Sequence, residues 1–159
     1  MGRSKVVGVD AWYRGIANLS NDAVLISKRC VYFGADMVAD GIRKAIEGIP
    51  SRDAEPKKKT SGITDVEREG LLDSLGIAPF EASNGTVHTK IGFDGYNNNI
   101  TKKYPKGHPN SMVARSIESG TSFLRKTPFI APTVRRLRAS VQEAMQAELD
   151  KQIQQRSNK

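Results

Sequence analysis

The chain has 159 residues, 38% of them hydrophobic and 26% charged, so one domain with a modest core is the natural expectation, with one or two irregular segments attached. Its net charge of +8, from 25 Lys and Arg against 17 Asp and Glu, favours polyanionic or acidic partners. Aromatic residues are only 6%, and no zinc, helix-turn-helix, RNP or KH pattern is present, which argues against a sequence-specific nucleic-acid reader. No run approaches the eighteen apolar residues of a membrane helix, and no leader pattern opens the sequence, so synthesis in the cytoplasm is expected. The lone Cys30 cannot form an internal disulfide and reads as a small buried hydrophobe.

In chain order, Val24, Val31, Ala35, Val38, Ile42, Ala45 and Ile49 recur at helical spacing. They predict a long amphipathic helix of about 28 residues, roughly 40 Å. Ser20 or Asn21 would cap it, and Gly48 with Pro50 would stop it. A rod this long needs neighbours, either within the chain or from another copy. Residues 51–63 are polar, contain Lys57, Lys58 and Lys59, and read as a long loop.

Thr64 and Glu67 form a capping box opening a short helix through Leu71, Leu72 and Leu75, with Gly76 ending it. Ile77–Ala82 and Thr86–Phe93 then flank Asn84-Gly85 and predict a hairpin whose Val87, Thr89, Ile91 and Phe93 share the covered face. Residues 94–110 are rich in Asn, Gly, Pro and Lys and predict a second long loop, with a short edge strand near Ile100. A brief helix fits Ser111–Ser119, before Gly120. The last helix opens somewhere in Thr127–Pro132, carries an apolar stripe of Ile130, Val134, Leu137, Val141, Ala144 and Leu149, and frays over 154–159. The expected fold is α+β, a single domain over 1–159 with a long N-terminal and a C-terminal helix packed on a small antiparallel sheet containing a hairpin.

No catalytic, cofactor or metal site is expected. His88 and His108 match no triad or zinc spacing, and no phosphate-binding glycine loop follows a strand. Asp36 and Asp40 share a helix face, as a nuclease could use, but Arg43 and Lys44 beside them favour a solvated charged surface. Glu118, among Ile117, Gly120 and Thr121, is a carboxylate placed to accept hydrogen bonds from Thr or backbone N–H groups and so fix a turn.

The run Glu118-x-Gly120-Thr121-Ser122, followed by Pro128-Phe129-Ile130-x-Pro132 and a charged amphipathic helix, resembles the tail-component family of long-tailed phages, whose members are described as tail completion, neck or head-tail joining proteins. Val9-Asp10-Ala11-Trp12 is similar to that family's opening segment, and Gly70-Leu-Leu-Asp-Ser-Leu-Gly76 to its G-x-L-x-x-S segment, so the likeness covers most of the chain. The resemblance implies a non-enzymatic virion protein in a ring, commonly sixfold, around the DNA channel. Its partners would be copies of itself, neighbouring stopper or adaptor, tail-terminator or tail-tube proteins, and DNA read without sequence preference. Lys57, Lys58 and Lys59, or Arg135, Arg136 and Arg138, are the candidates to face DNA or an acidic neighbour. A free basic nucleic-acid-binding protein or assembly factor is the competing expectation.

Overall fold

The computed structural model describes the backbone of residues 9–52, 59–83 and 86–157, and the side chains of 22–52, 59–82 and 86–156. Four helices and four short strands follow in the order α1 (Val9–Glu47), α2 (Asp65–Ser74), β1 (Leu75–Ile77), β2 (Glu81–Ser83), β3 (Thr86–His88), β4 (Ile91–Phe93), α3 (Asn110–Ser119) and α4 (Ile130–Ser157). The α+β expectation holds, with long first and last helices and antiparallel strand pairs between them.

The first helix is longer than its sequence signals suggest. It runs without interruption through Ser20 and Asn21, so neither caps it, and its 39 residues span about 58 Å. Asp22 lies within the helix, where its carboxylate pairs with Arg156 near the end of α4. Arg29 donates to Gln152 at 3.0 Å, Gly34 faces Val141 and Met145, and Gly41 faces Thr133 and Leu137. Paired residue numbers rise along α1 as they fall along α4, so the two helices lie antiparallel over most of α4.

Glycine sets their closest approach. A β-carbon at Gly41 would sit 2.4 Å from Leu137 Cδ1 and 3.0 Å from Thr133 Cγ2, and one at Gly34 would sit 2.6 Å from Met145 Sδ. Gly41→Val is therefore expected to destabilise the fold by about 1–3 kcal/mol through overpacking, against the usual penalty for glycine within a helix. A lowered urea midpoint with unchanged helical circular dichroism checks this.

The buried face of α1 carries Ile26, Cys30, Ala35, Ala39, Ile42 and Ile46, with Ile49 buried just past its end, whereas Val24 is 54% exposed. Ile42, Ile46 and Ile49 join Ile63, Leu71, Leu75, Val113, Ala114, Ile117, Leu124 and Phe129 in one core, with Val38 and Ala45 packed against it. The core thus gathers at the C-terminal end of α1. Arg68 of α2 closes that end: its guanidinium donates to the carbonyls of Ile46 (2.7 Å), Glu47 (3.0 Å) and Ile49 (2.6 Å), satisfying acceptors at the negative pole of the helix. The Thr64–Glu67 capping box forms as expected, and Glu67 also holds Arg52 at 2.9 Å.

The hairpin is broken in two. Strand β1 pairs with β4 (Leu75↔Phe93, Ile77↔Ile91), and β2 pairs with β3 (Glu81↔His88, Ser83↔Thr86). Between these pairs the first arm carries Ala78, Pro79 and Phe80 against only Thr89 and Lys90 on the second, an extra residue of the β-bulge kind. Proline has no N–H to give the ladder, so the expected continuous strand Ile77–Ala82 is interrupted there. Residues 84–85, the expected turn, lie outside the described residues. Helix α2 ends at Ser74, and Gly76 is a strand residue instead of the helix terminator. The hairpin docks through Phe93 against Phe129 (6.2 Å between ring centres) and through Phe80 against Tyr32 of α1 (6.3 Å, edge to face).

Residues 94–110 form an ordered loop with no strand at Ile100, which is 69% exposed. Its one β-bridge joins Tyr96 to Pro109. The buried Asn97 organises it: its N–H donates to His108 O at 2.9 Å, and its Oδ1 accepts from the N–H groups of Asn99 and His108, each at 3.0 Å. In the 51–63 loop, residues 53–58 lie outside the described residues, and bridges from Ser51 to Ile63 and from Thr60 to Leu124 fix its ends. At the C-terminus, where fraying is expected over 154–159, α4 is helical through Ser157, with Gln152 buried and Arg156 paired, and residues 158–159 lie outside the described residues. The stripe of α4 is also shifted: Thr133 and Gln152 are buried and Val134 is 43% exposed.

Candidate functional site

The two halves of the Glu118 to Pro132 pattern meet in space. Helix α3 ends at Ser119, and Gly120, with φ of +75°, turns the chain where a β-carbon would press on Lys126 N (2.9 Å) and Leu124 O (3.1 Å). Thr121 tightens the turn that follows, its Oγ1 accepting from the N–H groups of Phe123 (3.2 Å) and Leu124 (3.0 Å). Ser122 is exposed at the bend. The chain then returns, and the Glu118 carboxylate accepts from the N–H groups of Phe129 (2.7 Å), Ile130 (2.9 Å) and Ala131 (3.0 Å).

These are the donors that the start of α4 leaves without helical partners, and the fourth position is Pro132, which has no N–H. One carboxylate from another helix therefore satisfies the whole N-terminus and places a negative charge at its positive pole. Partial burial by itself would raise the Glu118 pKa, but the bonds from Ile130, Ala131 and Phe129, with nearby Lys126, outweigh it and hold the carboxyl below its ordinary value. Thr127, a sequence candidate for the cap, instead donates its N–H to Ile117 O at 2.9 Å. Phe129 is buried in the core, and Pro128 lies exposed at the helix mouth.

The basic candidates are not part of this latch. Arg135, Arg136 and Arg138 are all exposed on the first turns of α4. At 100° per residue, Arg135 points opposite the Thr133 and Leu137 side, while Arg136 and Arg138 flank it, so the three fan across the outer surface. Lys59 is exposed beside the Thr60–Leu124 bridge, and Lys57 and Lys58 lie outside the described residues, as do the side chains of Val9 to Trp12.

Groups with potential chemistry are dispersed. Asp40 pairs with Arg43 at 2.8 Å on an exposed face. His88 is 3.2 Å from Glu81 on the outer hairpin, and His108 meets Tyr104 in a tilted contact, 4.6 Å between ring centres, within the 94–110 loop. Burial, then Glu148, pushes the Cys30 thiol up, which disfavours the thiolate. Among the described residues no three His, Cys, Asp or Glu side chains are grouped to hold a metal ion, and no helix is long and apolar enough to cross a membrane.

Two features escape a sequence reading. One is Phe123, 82% exposed on the tightened turn. Its only signal is an aromatic residue between Ser122 and Leu124 in an otherwise polar stretch. The other is a cleft of about 460 Å³ lined by Glu69, Asp73, Asp94 and the buried Asn97 and Asn110. Glu69 and Asp73 are one helical turn apart, but the loop that brings Asp94 beside them has no local signature. The chain matches no family model, no curated protein and no solved structure.

Proposed function

We propose that this chain is a structural protein of the neck or upper tail of a tailed bacteriophage, acting by assembly around the DNA channel and not by catalysis. The observation that carries this reading is the Glu118 latch: the residues of the phage-like pattern, separated by a turn, act together as one connection between α3 and α4. The lineage in this reading rests on the resemblance of that pattern, and the latch gives its members one shared structural role. The outward fan of Arg135, Arg136 and Arg138 fits a sequence-independent polyanionic or acidic neighbour, because phosphate contacts position without reading bases. In this role the chain sits in the virion as a ring between portal and tail tube, against stopper, terminator or tube proteins.

Cryo-electron microscopy of the neck in intact particles of the encoding phage tests this. Ring density that fits the α1–α4 pair is the expected result, with the arginine fan turned to DNA or to an acidic ring. A complete neck that contains no such density overturns the reading in favour of a free DNA-binding protein or assembly factor.

A further inference from the structure

Phe123 is held out to solvent by a rigid frame. Its N–H is taken by Thr121 Oγ1, its carbonyl accepts from Thr60 N–H at 3.1 Å, and the adjacent Leu124 is buried. Arg125 and Lys126 follow it, and Lys59 stands across the bridge; all three are exposed. An exposed aromatic with a cationic rim has the composition of an interface anchor, and its hydrogen-bonded backbone loses little conformational freedom on docking.

A complementary surface lies at the other end of α3. Gly76 and Gly92 face each other across β1 and β4, and β-carbons there would meet nothing closer than 4.0 Å. They floor an open groove of about 450 Å³ walled by Ile77, Pro79 and Ile91, with Lys90 on its margin. The groove shares Ser74 and Asp94 with the acidic cleft of Glu69, Asp73 and Asp94. In that cleft Asn110, 3% exposed, keeps a buried Oδ1 with no hydrogen-bond partner. Three carboxylates beside an apolar floor, on a chain of net charge +8, match an aromatic group carrying cations.

We propose that Phe123 of one copy seats in the Gly76–Gly92 groove of the next, with Arg125 and Lys126 reaching its Glu69, Asp73 and Asp94 carboxylates. Asn110 opens α3 beside the cleft and Gly120 closes it beside the turn, so knob and socket are separated by the helix length, about 15 Å. Two different patches at opposite ends of an element make a head-to-tail contact, which closes into a ring or continues as a filament. This deepens the assembly reading above by naming its self-contact, and apart from Lys126, which lies near Glu118, its residues lie outside the latch and the arginine fan.

Sedimentation velocity on the full chain, up to about 1 mM, tests it. The wild type is expected to associate with rising concentration and to weaken in high salt. Phe123→Ala and Gly92→Leu, both at open surface, should each associate at least tenfold more weakly while keeping the wild-type circular dichroism spectrum. Mixed together, the first supplies an intact socket and the second an intact knob, and they should form a 1:1 dimer that grows no further. A wild type that stays monomeric overturns the contact, and so does association that Phe123→Ala leaves unchanged. Loss of duplex DNA binding in Phe123→Ala, with association intact, would assign the knob to nucleic acid. None of these outcomes decides whether the chain is in the virion neck, which particle microscopy answers separately.

Discussion

Gly107→Ala is expected to lower stability by about 3–5 kcal/mol, near the upper end for a single substitution. Gly107 has φ of +92°, and an added β-carbon would lie 1.7 Å from the Asn97 carbonyl oxygen and 3.0 Å from its carbon. Neither atom can move aside cheaply, because Asn97 is joined to His108 through both its N–H and its Oδ1. Relief would require separating the two sides of the 94–110 loop, and with them the bonds that Asn110 makes to Gly95 O (3.1 Å) and Asp94 O (3.0 Å) at the start of α3. Gly95 provides the control. It too has positive φ, +64°, but open space surrounds its β-carbon position, so Gly95→Ala should cost only the conformational penalty of about 1–2 kcal/mol. Equal urea midpoints for the two variants would show that the close approach at Gly107 is unimportant.

Glu118→Ala should cost about 2–4 kcal/mol, since it removes a charged acceptor shared by three N–H groups at a helix start. Glu118→Gln should retain part of this, because an amide oxygen still accepts but its NH₂ faces other donors. The pH dependence has a definite sign. The folded state holds the Glu118 carboxyl below its ordinary value of 4.5, so it binds fewer protons than the unfolded chain in the acid range. The latch contributes fully above that ordinary value and is lost as pH falls through the lowered folded one. Urea unfolding from pH 7 downward should show the wild type losing its advantage over Glu118→Gln in acid. A difference that stays constant across that range would exclude the carboxylate latch.

Local patterns were legible wherever structure is decided locally. The capping box at Thr64, the short helix before Gly120 and the paired arms around the hairpin turn all follow from neighbours in sequence. Features decided by distant residues were not. Ser20 and Asn21 look like a helix start, but such residues cost only tenths of a kcal/mol inside a helix, and α1 continues through them. The buried face of α1 lies partly out of phase with its apolar periodicity because periodicity counts side chains, whereas Gly34 and Gly41, which have none, mark the contact with α4. At the candidate site, Glu118 was legible as an acceptor of backbone bonds, yet its target at Phe129 to Ala131 was not. Thr127 satisfied the local rule for a cap, but a carboxylate eleven positions before Phe129 took the role. The polar residues after Leu149 suggested fraying because Asp22 and Arg29, which engage Arg156 and Gln152, lie more than 100 residues away.

That separation bears on how the chain is made. About eighty residues come between the end of α1 and the start of α4. At ribosomal rates of about 5–20 residues per second, α1 therefore waits on the order of 5–20 s for the whole of its partner helix. Throughout that time the face of α1 that carries Gly34 and Gly41 lacks its α4 partner on every nascent chain. Neighbouring ribosomes on one message would hold such helices close together, where premature pairing between chains competes with folding. Expression at lowered temperature, or in cells enriched in nascent-chain chaperones, should accordingly raise the soluble yield more than any change of purification buffer.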